Sequence, residues 1–274
     1  MPTAQNPAGR STAYQACAVI IGLAPAALTV IFWRYLPLRD LLVPAAVAAG
    51  FAVLAWLWRA VTVSGALAGF GIAFTLYANV NRHMFEVLFF VFALTWAATR
   101  AGHTHKQERG LAEPQGGRTA SQVVANLGVG AILLALPLGL DFALVATGVA
   151  LVVLAEAAAD TCASEIGKAF GGKTVLITSL RPVTPGTDGG VSLLGTIAAL
   201  VAASSTVALA AVLDTGLEWP GVPFYSLAAL FGTFVDSLLG ATLERRGWLN
   251  NDAVNLLSTS AVAALLLSFA ALAD

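Results

Sequence analysis

The chain has 274 residues, 58% of them hydrophobic and 11% charged, with a formal net charge of −1. A soluble domain of this size carries about 25% charged residues, so the composition excludes a water-soluble globule. The near-zero net charge gives no electrostatic basis for binding nucleic acid.

A mean hydropathy of +0.82 and apolar stretches long enough to cross a hydrocarbon core of about 30 Å predict an all-α, polytopic integral membrane protein. Nine helices are expected, over 14–33, 41–58, 64–79, 84–99, 121–138, 142–167, 191–213, 223–243 and 252–272. Arg10 before an apolar run imitates a signal peptide, but further hydrophobic segments follow, so this run reads as the first membrane helix. The third helix is short and contains Gly65, Gly69 and Gly71, which suits a re-entrant segment or one tucked inside the bundle. No internal repeat divides the chain, which reads as a single transmembrane domain over 1–274. Cys17 and Cys162 lie far apart in or beside apolar stretches and suggest no disulfide framework.

Nine crossings sort the cations unevenly. Arg10, Arg59, Arg100, Lys106, Arg109, Arg118, Lys168, Lys173, Arg181, Arg245 and Arg246 fall on one side, and Arg34, Arg39 and Arg82 on the other. Cytoplasmic loops carry the excess of Lys and Arg, so the first side is expected in the cytoplasm, with the N-terminus inside and the protein in the cell membrane. Loops 100–120, 168–190 and 244–251 then share the cytoplasmic face and contribute the candidate site.

Four polar clusters fall on that face. The first contains Gly116, Gly117 and Arg118, then Gln122 and Asn126, which are four apart and share a helix face. Most of it would also be explained by a solvated loop. The second is the stripe Glu156, Asp160 and Ser164, flanked by Thr161 and Glu165. A carboxylate in a membrane helix costs about 2.5–3.5 kcal/mol near the helix centre, so these residues should face the bundle interior and have a function or an ion-pair partner. The third runs from Thr184 to Ser192, with Asp188, Gly189 and Gly190 leading into a helix, an arrangement whose backbone N–H groups suit an anion. The fourth joins Gly232, Asp236 and Gly240, spaced by four, to Asn250, Asn251, Asp252, Asn255 and Thr259 opening the last helix. Packing explains the glycines, and an N-cap explains Asn250 or Asn251; neither explains the Asp residues.

The chain has no HExxH, CxxC pair, Walker A or GxSxG motif, and its three histidines are His83, His103 and His105. Carboxylates, amides, hydroxyls, Gly-rich turns and cations remain, a set suited to Mg²⁺ with phosphates, because Mg²⁺ takes oxygen ligands, commonly one or two carboxylates plus phosphate oxygens.

In chain order, the residues Ser64-Gly65-Ala66, Gly116-Gly117-Arg118 with Gln122 and Asn126, Asp160-Thr161 with Ala163 to Gly167, Pro182-Val183 with Pro185 to Ser192, Asp236 to Thr242, and Asn250 to Asn255 resemble the integral-membrane family that contains the plant phytyl-phosphate kinase of vitamin E synthesis and many bacterial, archaeal and animal relatives. Cys162 and Glu244 depart from that pattern, where Trp and Gln are common. The resemblance implies transfer of a phosphoryl group from a nucleoside triphosphate, CTP, to a prenyl monophosphate such as phytyl phosphate, with membrane lipid around the site. On this expectation Asp160, Asp236 and Asp252 hold Mg²⁺. Asp188, Gly189, Gly190, Ser192, Asn251 and Asn255 bind phosphate, and Arg118, Lys173 and Arg181 neutralise it. Glu165 orients a cation or a metal-bound water. Three rivals use overlapping features: a prenol or dolichol-type alcohol kinase, which needs a free base; a cytidylyltransferase, which releases pyrophosphate; and a lipid or small-solute transporter, which the deeper Glu156 favours.

Overall fold

The computed structural model describes residues 7–32, 37–111, 116–213 and 215–273. Trp33, the expected end of the first helix, Arg34 of the cation count, and the side chain of Arg10 lie outside the described residues. The nine expected helices correspond to α1 (Pro7–Phe32), α2 (Leu38–Leu57), α3 (Val63–Asn79), α4 (Arg82–Arg100), α6 (Ala120–Leu134), α7 (Leu140–Phe170), α8 (Leu193–Val212), α9 (Val222–Leu239) and α10 (Asn251–Ala273). A short α5 (His103–Glu108) is additional. Six of these helices, α1, α2, α7, α8, α9 and α10, are long and apolar enough to cross a membrane; α3 and α6 are apolar but shorter. The protein is therefore a multi-pass, helical membrane protein.

Several boundaries differ from expectation, among them the start of α1 at Pro7 and the end of α7 at Phe170, and two of the differences have local reasons. Helix α6 stops at Leu134 because Pro137 follows, and a proline disfavours helical backbone in the residue before it. Helix α9 gives way at Gly240 to a wider π turn, Gly240–Glu244, a feature often found at functional sites.

Helix α3 is continuous over 17 residues, and Thr62 caps it by accepting a hydrogen bond from the Gly65 N–H at 3.1 Å. Its glycines serve close packing rather than a break. A Cβ on Gly65 would strike the Arg118 carbonyl oxygen, and one on Gly71 the Gly22 carbonyl oxygen of α1, whereas one on Gly69 would meet open space. Gly71→Ala is therefore expected to lower stability in detergent by about 1–3 kcal/mol through overpacking. Gly69→Ala should be neutral or gain up to about 1 kcal/mol from helix propensity. Thermal unfolding of the two variants checks the contrast.

Helix α7 occupies the centre, with α4, α6, α8, α9 and α10 packed around it. Within its apolar stretch 72% of the residues are buried, the highest share among the six. Ala146, Ala150, Ala155, Ala158 and Ala159 are all fully buried, and such small side chains let neighbouring helices approach closely where lipid gives no hydrophobic drive to associate.

Beyond α7 the chain forms a feature not expected of an all-α protein. Strands β1 (Thr174–Leu176), β2 (Pro182–Val183) and β3 (Gly190–Ser192) make an antiparallel sheet in the order β2-β1-β3. Thr174 pairs with both Val183 and Ser192. Strands of two or three residues show no alternation over a detectable window, so the segment reads as loop in the sequence.

A second extended contact joins α2–α3 to the start of α6. Val61 and Arg118 form a parallel bridge. The Thr62 N–H donates to the Arg118 carbonyl, and the Arg118 N–H to Ala60, at 3.0 and 2.9 Å. Gly117 turns the chain into this contact at φ +74°, where an added Cβ would press on the backbone of Arg59 and Val61.

Candidate functional site

The site is built where α7, α9 and α10 meet. Glu156 of α7 is 2% exposed and accepts a hydrogen bond from the Ser258 hydroxyl of α10 at 2.8 Å. Gly232 of α9 lies against the same side chain, so closely that a Cβ there would sit 2.5 Å from Glu156 Cγ. The three helices are thus fixed at one level. One helical turn further along α7 and α9, about 6 Å by the helix rise, come Asp160 and Asp236, whose carboxylates are near enough to repel each other. On α10, which runs the opposite way, the matching steps lead back from Ser258 to buried Asn255 and half-buried Asp252.

Asp236 Oδ2 is buried and has no hydrogen-bond partner among the described residues. Burying an unpaired charge costs several kcal/mol, so a carboxyl in that state either stays neutral or takes a cationic ligand. The negative field extends beyond the pair. Asp160 also interacts with Glu156 and with Glu244 of the π turn, and Glu244 with Asp188. The Asp188–Gly189 turn is held on the π turn by close packing, since a Cβ on Gly189 would collide with Ala241. Arg118 reaches the same end of α7, donating to the Thr161 hydroxyl at 3.2 Å.

Among the described residues no three His, Cys, Asp or Glu side chains stand close enough to hold a metal by themselves. A Mg²⁺ that keeps water and phosphate ligands needs only one or two protein carboxylates. The Asp160–Asp236 pair, with its orphaned oxygen, fits that requirement, and Asp252 stands on the adjoining helix.

Other expected residues are placed differently. Glu165 is buried between two cations, Lys106 of α5 at 2.5 Å and Lys168 at 3.2 Å, so the cations that it orients are lysines of the chain. The Ser192 hydroxyl caps α8 by accepting from the Gly195 N–H, and the Gly190 N–H donates to the Thr187 carbonyl, so both groups serve the local fold. Lys173, Arg181 and Asp188 are exposed around the small sheet. Asn250 supplies the cap of α10, accepting from the Ala253 N–H at 2.9 Å, and Asn251 is exposed.

A cavity of about 1060 Å³ opens between α2, α3, α4 and α6. Arg59, Arg100 and Arg118 stand at one end, with Gln122 and Asn126 on a wall and aromatic side chains along its length. The first polar cluster, Gly116 to Arg118 with Gln122 and Asn126, lines it, but spacing does not announce the cavity itself, because its other residues come from separate helices. Lys106 was likewise legible only as one cation in a charged loop.

The fold and site define a multi-pass helical membrane protein in which Glu156, buried, and Asp160, half-buried, on the central helix lie near half-buried Asp236 of α9. The chain belongs to the family Integral membrane protein DUF92, which matches residues 46–263. It is 34% identical over 217 residues to an uncharacterized membrane protein of Synechocystis sp., covering 75% of this chain and 83% of the relative. It is also similar to two Arabidopsis thaliana proteins, each at 28% identity. Protein VTE6, chloroplastic, matches over 73% of this chain and 62% of its own length, and Protein PGR over 69% and 74%. No solved structure matches the chain.

Proposed function

We propose that the protein is a membrane-embedded prenyl-phosphate kinase, transferring a phosphoryl group from a nucleoside triphosphate, CTP, to a prenyl monophosphate such as phytyl phosphate. The observation that carries the proposal is the buried, partnerless Asp236 oxygen beside Asp160, within a family that the motifs tie to phytyl-phosphate kinase. Asp160 and Asp236 would hold Mg²⁺, with Asp252 as the third candidate. When bound, the ion supplies the positive charge that lets two phosphate anions approach. Arg118 adds a cation beside the pair. The acceptor is already largely a dianion at pH 7, because the second pKa of a phosphate monoester is about 6. It therefore needs no strong general base, and among the described residues no histidine belongs to the carboxylate cluster. With nine crossings and the N-terminus inside, the cluster, the small sheet and the π turn would share the cytoplasmic side, where the nucleotide is.

The test incubates the purified protein with Mg²⁺, each labelled triphosphate, and either phytyl monophosphate or phytol. Phytyl diphosphate should form from the monophosphate, with CTP the best donor and phytol a far poorer acceptor. Strong turnover of phytol with little on its phosphate would establish an alcohol kinase instead, and release of pyrophosphate a cytidylyltransferase. A second reading draws on Glu156, buried at mid-helix against Ser258 and Gly232, a place where transporters hold their coupling groups. Solute movement into liposomes without consumption of triphosphate would favour it.

A further inference from the structure

We propose that the cavity between α2, α3, α4 and α6 is the binding site for the acceptor lipid, with the chain lying along its aromatic length and the phosphate headgroup at its arginine end. The inference rests on a lipid phosphate being the acceptor, and on no feature of the transfer itself.

Four observations support it. The cavity has the right polarity from end to end. Arg59, Arg100 and Arg118 mark one end, and Phe51 and Leu88 lie deeper. From Arg100 to Leu88 along α4 is about 18 Å by the helix rise, a shaft rather than a cup. Its volume, about 1060 Å³, stands at the upper end for small-molecule pockets, as a long chain requires.

The arginine end is built, not incidental. Arg59 adopts the left-handed region at φ +55°, which a non-glycine residue rarely does, and the bridge between Val61 and Arg118 holds its segment there. The Arg100 guanidinium lies 4.0 Å over the Trp96 ring, so it is held beside the cavity.

A donor in the wall lacks an acceptor. Trp96 lines the cavity, and its buried indole N–H has no hydrogen-bond partner among the described residues. A buried indole usually finds one, and a rotation of the ring that turned the N–H into the cavity would bring it to a phosphate oxygen of the ligand.

Finally, the arginine end adjoins the carboxylates. Arg118 lines the cavity and also donates to Thr161, the residue after Asp160, while Ala157 of α7 forms part of the wall. A headgroup on Arg118 would lie next to the proposed transfer site.

Gly69 provides the test. It lines the cavity, and a Cβ there would meet open space, so Gly69→Leu starts from an unobstructed position and should shorten the shaft. Binding of phytyl monophosphate to the protein in lipid nanodiscs is measured calorimetrically with no nucleotide present. Gly69→Leu should weaken phytyl monophosphate about tenfold or more and leave geranyl monophosphate, with its shorter chain, within about threefold. Gly69→Ala should lie between wild type and Gly69→Leu, and unchanged melting temperatures would show that both variants fold. Trp96→Phe keeps the ring and loses the donor, and should weaken the lipid phosphate by about tenfold. Arg59→Gln with Arg100→Gln should weaken phytyl monophosphate but not phytol. Inorganic phosphate alone should bind at least about a hundredfold more weakly than phytyl monophosphate, which separates a lipid site from a free-phosphate site. Equal affinity of wild type and Gly69→Leu for phytyl monophosphate, or equal affinity of inorganic phosphate and the lipid, would overturn the assignment while leaving the kinase proposal intact. The expected binding pattern without any phosphoryl transfer would uphold the cavity and reject the kinase.

Discussion

Asp236→Asn should leave a folded, inserted protein that has lost most of its Mg²⁺-dependent activity. Asparagine keeps the size of the side chain, so the packing between Gly232 and Gly240 on α9 is preserved. The change removes one negative charge from beside Asp160. In a simple packing site that would relieve repulsion and stabilise the helix bundle. In a Mg²⁺ site it removes a ligand, and a bound ion contributes several kcal/mol of transition-state stabilisation. A loss of about 10²–10³-fold in turnover is expected at 1.36 kcal/mol per tenfold. Asp160→Asn should behave alike, and whatever activity remains should need more Mg²⁺. Asp252→Asn discriminates further. As a ligand it should match the other two; as a half-buried residue in the first turn of α10 it should cost only the helix-dipole interaction, about 0.3–1 kcal/mol of stability. Kinetics across a Mg²⁺ series, beside melting temperatures, separate these outcomes. Near-normal activity and Mg²⁺ dependence in any one variant would remove that residue from the metal site.

Lys106→Met should be the most damaging single change outside the carboxylate cluster, and its damage should be to stability. Lys106 is 1% exposed and donates both to Glu165 and to the Thr99 carbonyl. Removing it leaves Glu165 buried with Lys168 alone. Breaking a buried pair by deleting one partner costs about 3–5 kcal/mol, largely through the uncompensated charge that remains. The double variant Lys106→Met with Glu165→Gln removes that charge and should recover much of the loss. Thermal unfolding in detergent gives both values. If Glu165→Gln alone abolished turnover with an unchanged melting temperature, its role would be chemical and not a clamp between α5 and α7.

How much of this was legible beforehand depends on the distance over which each signal acts. Helix positions were legible because an apolar run carries its own evidence: all nine expected helices have counterparts in the structure. The Glu156–Asp160 stripe and the spacing of Gly232, Asp236 and Gly240 were legible for the same reason, since a period of four within one helix assigns a common face. Which stripe meets which is set by packing between helices, so neither the Ser258–Glu156 bond nor the Gly232–Glu156 contact could be read from spacing. The role of Glu165 was legible only in outline. Its need for a cation followed from burial, while the partner, Lys106, sits 59 positions away in a loop that looked solvated. The small sheet was missed because its strands are shorter than any pattern. The cavity was missed because a void has no residue of its own.

On the proposed reading, the length of the central helix would set the depth at which the chemistry takes place. Helix α7 has 31 residues, about 46 Å at 1.5 Å per residue, against a hydrocarbon layer of about 30 Å. Its first turns, from Leu140, are apolar, whereas its last stretch carries Asp160, Thr161, Ser164, Glu165 and Lys168. The surplus of about 16 Å matches that polar stretch, which would lie among lipid headgroups if the apolar part of the helix fills the hydrocarbon layer. A water-soluble donor would not have to enter oil to reach Asp160, and a lipid phosphate would not have to leave the plane where it already floats. The two reactants would meet at the one height in the bilayer where both are soluble.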